Sequence, residues 1–296
     1  MRQNAGAVAV QSAGAVAVQT LNIARMTFLE ARMRKMLWAV ILLGVAYLGV
    51  YTAGFYFMYR EISRAMSGSL AQLLEPLNFF VMAGLYGVNF LVVMLAVLAS
   101  VDTVSGEIAS GTIHTVVTKP LRRWEVIAGK WLGLAIMLSV FVVVMSGALI
   151  GVVRVIAGYL PPNPVAGVGL ILLGGLVILT LSMLGGTRLS TLTNGVVVFM
   201  LYGLAFIAGW IEQIGAFLHS EASVNIGIIV SLLMPSEAIW KRAAYLMQPP
   251  FLRELGLSTT PFGAASAPSG AMVVYAILYT AAALGLAILW FTRRDL

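Results

Sequence analysis

Gly129-Lys130 is the pair in this chain that comes nearest to phosphate chemistry. A phosphate-binding loop needs Gly-x-x-x-x-Gly-Lys followed by Ser or Thr, because backbone N–H groups must close around the phosphate and the hydroxyl must reach a magnesium ion. Here Trp124 stands at the first Gly position and Trp131 follows the lysine. The chain therefore does not hydrolyse ATP by that route. Metal chemistry is equally poorly supplied. Cysteine is absent, which removes disulfides, thiolate ligands and cysteine nucleophiles together. His114 and His219 are the two histidines, and a lone histidine makes a poor metal site. His114 reads as a surface histidine or a pH sensor. The 15 methionines read as apolar filler before Cu(I) ligands. Neither His-Glu-x-x-His nor Gly-x-Ser-x-Gly occurs. No catalytic, cofactor-binding or metal-ligating residue is assigned. Two features remain: Asn89 within a long apolar stretch, and a polar segment over residues 102–130.

The elements that must position them are membrane spans. Of 296 residues, 60% are hydrophobic and 10% are charged. A soluble domain carries about 25% charged residues. A chain this apolar has no polar skin for a water-soluble core, and a bilayer is the solvent that suits it. Six stretches can cross about 30 Å of hydrocarbon: residues 37–59, 79–101, 131–153, 166–185, 195–211 and 271–291. Each must be helical, because backbone groups in lipid have to pair within their own segment. The expected fold is all-α, one six-span domain over residues 21–296. With the N-terminus in the cytoplasm, 12 of the 18 Lys and Arg residues fall on the inner side. The positive-inside rule then places both termini in the cytoplasm of a multi-pass protein of the cell (inner) membrane. The net charge of +7 belongs to loops beside anionic lipid and implies no nucleic acid.

Three segments lie outside the spans. Residues 1–20 repeat AGAVAVQ at 5–11 and 13–19 and read as a low-complexity tail, too short to span and unlike a cleaved signal peptide. Residues 21–36 place Met26, Leu29, Met33 and Met36 on one helical stripe, with Arg25, Arg32 and Lys35 off it. That pattern suits an amphipathic helix in the headgroup plane, or a cytoplasmic extension of the first span. Residues 212–270 form a long outer loop rich in proline. Within it, 224–234 is too short to cross before Pro235 and reads as interfacial or re-entrant.

Residues 102–130, between the second and third spans, exceed what a turn needs. Val104, Ile108, Ile113, Val116 and Val117 supply a partly apolar face, and Gly106 and Gly111 interrupt the helical pattern. Pro120 suits the first turn of a new helix, with Glu125 near its positive end. The expectation is two short helices meeting at Thr118-Lys119-Pro120, seeking a partner surface of lipid or protein. Asn89 must pair inside its span, either along a substrate path or with a neighbouring helix. Gly129 with Gly133, and Gly147 with Gly151, give the spacing that favours close helix packing.

Within 102–130, Glu107, then Gly111-Thr112, Pro120, Arg123 and Gly129-Lys130 follow in order and spacing a Glu, Gly-Thr, Pro, Arg, Gly-Lys pattern. The chain closes on Phe291-Thr292-Arg293-Arg294-Asp295-Leu296. In these motifs, in its six spans and in its long last outer loop, residues 21–296 resemble the ABC type-2 transporter permeases. The resemblance is nearest to the branch with the permease of the nitrous-oxide-reductase copper-maturation transporter. One departure is that Ile108, Ala109 and Ser110 replace charges common in the family between the Glu and the Gly-Thr. The resemblance implies a permease subunit, not itself an enzyme, whose 102–130 loop is a coupling helix. Glu107, Gly111, Thr112, Pro120, Arg123 and Lys130 would serve coupling to a separate ABC ATPase that holds ATP and magnesium. It also implies a homodimer, with substrate passing between two copies, and export by analogy. Glu107 could instead only cap a helix, and Arg123 could hold lipid phosphate. The alternative is a self-sufficient secondary transporter, which needs ionisable residues inside the spans. Apart from Arg154 at a border, the predicted spans have none.

Overall fold

Apolar stretches that must satisfy their own backbone fold as helices, and all regular structure among the described residues is helical. The computed structural model describes residues 19–30, 33, 35–65, 70–109, 123–218, 220–251 and 268–293. Helix α1 covers residues 19–30. There follow α2 (Lys35–Ala65), α3 (Leu70–Ala109), α4 (Arg123–Ala157), α5 (Pro164–Gly186), α6 (Thr191–Phe217), α7 (Glu221–Leu233), α8 (Ser236–Met247) and α9 (Gly270–Thr292). Six of them, α2 to α6 and α9, are long and apolar enough to cross a membrane, as expected.

Packing sorts these helices by depth in the bundle. The most apolar window of α3 is 67% buried within the protomer, and that of α2 only 11%, so α3 is central and α2 peripheral. The core is built from Val81, Met82, Leu85 and Val92 of α3, Leu134, Leu138 and Leu149 of α4, and Val177 and Ile178 of α5. Helix α2 is held to α3 by one face of stacked rings, Tyr47, Tyr51, Phe55 and Tyr59, four residues apart. Tyr47 donates its hydroxyl to the Gly84 carbonyl at 2.8 Å and Tyr51 to that of Phe80 at 3.2 Å.

The outer loop departs from a simple connector. Helix α7 has 13 residues, about 20 Å at 1.5 Å per residue, too short to cross. At Pro235 the chain turns by 110° into α8. Helix α8 then packs back into the bundle, with Ile239, Trp240, Ala243, Ala244 and Met247 buried. The 224–234 stretch is thus the first arm of a sharply bent pair, whose geometry is that of a re-entrant loop or of a single broken span. Residues 252–267 of the loop lie outside the described residues.

Two glycine pairs have different fates. Gly129 and Gly133 of α4 receive α1: a Cβ on the first would run into Ile23 and on the second into the Ala24 carbonyl. Ala24 and Thr27 are accordingly buried, while Met26 and Met33, 70% and 82% exposed, carry the apolar stripe outward. Gly147 and Gly151 do not pack closely within the protomer. No atom lies within 4 Å of a Cβ at either, because that side of α4 faces out of the bundle.

Candidate functional site

Helix α3 has 40 residues and α4 has 35, about 60 and 52 Å long. Both are longer than about 30 Å of hydrocarbon, and the C-terminal end of α3 and the N-terminal end of α4 flank residues 110–122 in the chain. The described ends of the two expected short helices are continuous with the long helices, and their meeting at Thr118-Lys119-Pro120 lies outside the described residues. Residues 102–109 continue α3 and residues 123–130 begin α4. Gly106 does not interrupt the helix; its missing Cβ leaves the room that the Asp102 carboxylate fills. The apolar requirement of the span sets only a minimum length, and a helix already nucleated propagates readily into polar sequence. Glu107 lies in the last turn of α3, with its side chain outside the described residues. Gly111, Thr112 and Pro120, with the Thr118-Lys119-Pro120 corner and His114, also lie outside them.

What is described at this end is a polar collar that ties the helix ends together. The Lys130 ammonium donates to the Thr103 carbonyl at 2.9 Å, joining α4 to α3, and the residue is buried. The Arg123 guanidinium donates to the Thr292 carbonyl at 3.3 Å, joining the start of α4 to the end of α9. Carbonyls at a helix C-terminus carry partial negative charge, which suits an arginine. Thr191 at the start of α6 donates to Asp102 at 3.3 Å and shares a hydrogen bond with Ser105 at 2.8 Å. Between α5 and α6, Arg188 stacks over the Trp290 ring at 5.4 Å. Glu125, expected at the positive end of a helix, is buried in the first turn of α4.

A second polar constellation lies toward the opposite end. Tyr86 is 16 residues from Asp102 along α3, about 24 Å. There the Lys241 ammonium of α8 pairs with the Glu212 carboxylate of α6 at 2.8 Å and donates to the Gly209 carbonyl at 3.2 Å. Tyr86 donates to Glu237 Oε1 at 3.3 Å. Two glycines make the space: a Cβ on Gly209 would meet Glu237, and one on Gly227 of α7 would meet Glu212. Glu237 and Lys241 are 6% and 5% exposed. Helix α8 does not cross, and burial pushes its Glu237 carboxyl up to about 7 although the nearby Lys241 charge opposes this.

This cluster corrects the view that the spans carry no ionisable residue but Arg154, since Glu212 lies within the fifth span. Sequence reasoning ended that span at residue 211. It also missed Lys241, because Glu237 and Lys241 stand four apart, the spacing of a solvated helix pair. Asn89 is buried one turn along α3 from Tyr86. It faces the interior of one protomer. Among the described residues no group of three or more acidic or histidine side chains could hold a metal ion.

The sequence profile of the ABC-2 family transporter proteins matches residues 21–296. A relative, the probable ABC transporter permease protein NosY of Stutzerimonas stutzeri, is 30% identical over 112 residues. That match covers 38% of this chain and 35% of the relative.

Proposed function

This chain belongs to the ABC-2 transporter family, and from that premise we propose that it moves its substrate outward as one of two permease copies driven by two ABC ATPase subunits. The family makes it a membrane permease subunit that works with an ABC ATPase. The observation that carries the finer reading is the length of α3 and α4. Two helices longer than the hydrocarbon is thick are joined by the Lys130–Thr103 bond, and they flank residues 110–122 in the chain. A lever of this kind needs something to push it. An ATPase that closes on ATP and magnesium would do so through Glu107, Gly111, Thr112, Pro120 and Arg123. The collar would pass the movement to α6 and α9.

The remaining parts follow from the same frame. The collar end is cytoplasmic, because the excess of Lys and Arg lies there, and both termini are on that side of the inner membrane. Helix α1 lies in the headgroup plane, its methionine stripe in lipid and its opposite face on α4. Substrate passes between the two copies, with Asn89 of α3 the candidate residue on its path, although Asn89 is buried within the single protomer. Glu212 offers some support to a self-sufficient secondary transporter, but the family of the chain weighs against it.

Mass measurement of the complex purified in detergent, from cells that also express a candidate ABC ATPase subunit, tests the assembly. The expected result is two permease chains with two ATPase chains. A permease recovered alone, with the ATPase expressed and soluble, would refute it.

A further inference from the structure

The cluster under the bent pair has two carboxylates and one ammonium, and the ammonium is already committed. Lys241 holds Glu212 at 2.8 Å and the Gly209 carbonyl at 3.2 Å. Glu237 is left with one neutral donor, the Tyr86 hydroxyl on Oε1 at 3.3 Å. Its Oε2 is buried and has no hydrogen-bond partner among the described residues. A buried carboxylate normally needs two or three donors or a close opposite charge to remain ionised. The cluster is too small a ligand set for a metal ion. A proton needs no ligand shell, and it removes the charge that the site fails to pair.

We propose that Glu237 is a proton-binding site, and that the proton fastens α8 in its seat within the bundle. The groups that face it come from three helices. Tyr86 approaches from α3, Tyr202 and Glu212 from α6, and Lys241 from α8 itself. Helix α5, which also packs against α8, carries no titratable side chain along Pro164–Gly186. Tyr275 and Tyr279 of α9 are occupied by the Leu232 and Leu233 carbonyls of α7. Glu221, the one acidic residue of α7, is exposed in its first turn.

The direction of the pH dependence follows from linkage. Glu237 holds its proton more tightly when α8 is seated than when the carboxyl is hydrated. The proton's contribution to the seat is therefore full below the ordinary carboxylate range. It declines as pH rises and is gone once the seated carboxyl itself ionises. The bent pair would thus be held firmly in acid and loosened toward neutral and alkaline pH, whatever the transported substrate.

Hydrogen exchange of α8 backbone amides in the detergent-purified protein tests this between about pH 5 and pH 9, corrected for intrinsic exchange and referenced to the central helix α5. Wild-type protection of α8 is expected to fall at least about tenfold over that range, one order for each unit of differential proton affinity. Glu237→Gln, which mimics the neutral acid, is expected to hold α8 protection level. A flat wild type, or the same slope in both proteins, overturns the proposal. If Glu237→Gln does not yield folded protein, two other variants decide. Tyr86→Phe removes the donor to the carboxylate and must move the loss of protection to higher pH. Glu212→Gln releases Lys241 toward Glu237 and must move it to lower pH. Failure of both to move overturns the proposal equally.

Discussion

Lys241→Met is the sharpest perturbation of the seat of α8. It keeps the stem's bulk and removes the charge. The ammonium makes an ion pair of 2.8 Å and a backbone bond of 3.2 Å, and the Lys241 and Glu212 side chains are only 6% and 14% exposed. An exposed pair contributes about 0–1 kcal/mol. Removing one partner of a buried pair costs about 3–5 kcal/mol, because the other charge stays behind unpaired. Here the charge left behind is Glu212, wedged against the bare backbone of Gly227. The expected loss is about 3 kcal/mol or more in the free energy of α8 opening, roughly a hundredfold or greater rise in its open population. Replacing both partners, Lys241→Met with Glu212→Gln, removes the orphan charge and should recover most of that loss. Hydrogen exchange of α8 reads the opening directly, and a double-mutant cycle isolates the pair. A single-variant effect below about 1 kcal/mol, or a double variant no better than the single one, would refute the view that this pair is buried and holds α8.

Two further outcomes bear on the lever and its orientation. Glu107→Ala and Arg123→Ala should leave the permease inserted while weakening ATPase co-purification by about 2–5 kcal/mol each, against about 1 kcal/mol if either only caps a helix; full ATPase binding and transport in both would show the 102–130 segment to be an ordinary connector. Because the chain has no cysteine, single cysteines report topology cleanly: Ser269→Cys should react with an impermeant maleimide from outside the cell and Thr292→Cys should not, and the opposite pattern would invert the proposed orientation.

Composition alone determined that this chain is a helical membrane bundle. Hydrophobic runs must hide their backbone polar groups by helix formation, so the six spans can be read from residue type without knowledge of any neighbour. The short 224–234 stretch was likewise legible, because its length before Pro235 cannot bridge the hydrocarbon. The Glu, Gly-Thr, Pro, Arg, Gly-Lys pattern of residues 107–130 was legible as residue order along the chain. Its tertiary setting was not, since nothing local distinguishes a short surface helix from an extension of α3 or α4. The partners of Lys130 and Arg123 come from Thr103 and Thr292, 27 and 169 residues away. The ionic cluster was the least legible feature. Glu212 falls just past the predicted end of its span, Glu237 and Lys241 follow Pro235 in a loop that looks solvated, and a Glu–Lys pair four residues apart signals an exposed helix. Only the 110° turn at Pro235 folds that helix back into the bundle. Burial then commits Lys241 to Glu212 and leaves Glu237 without a close counter-charge, which matters because removal of water makes every unpaired charge costly.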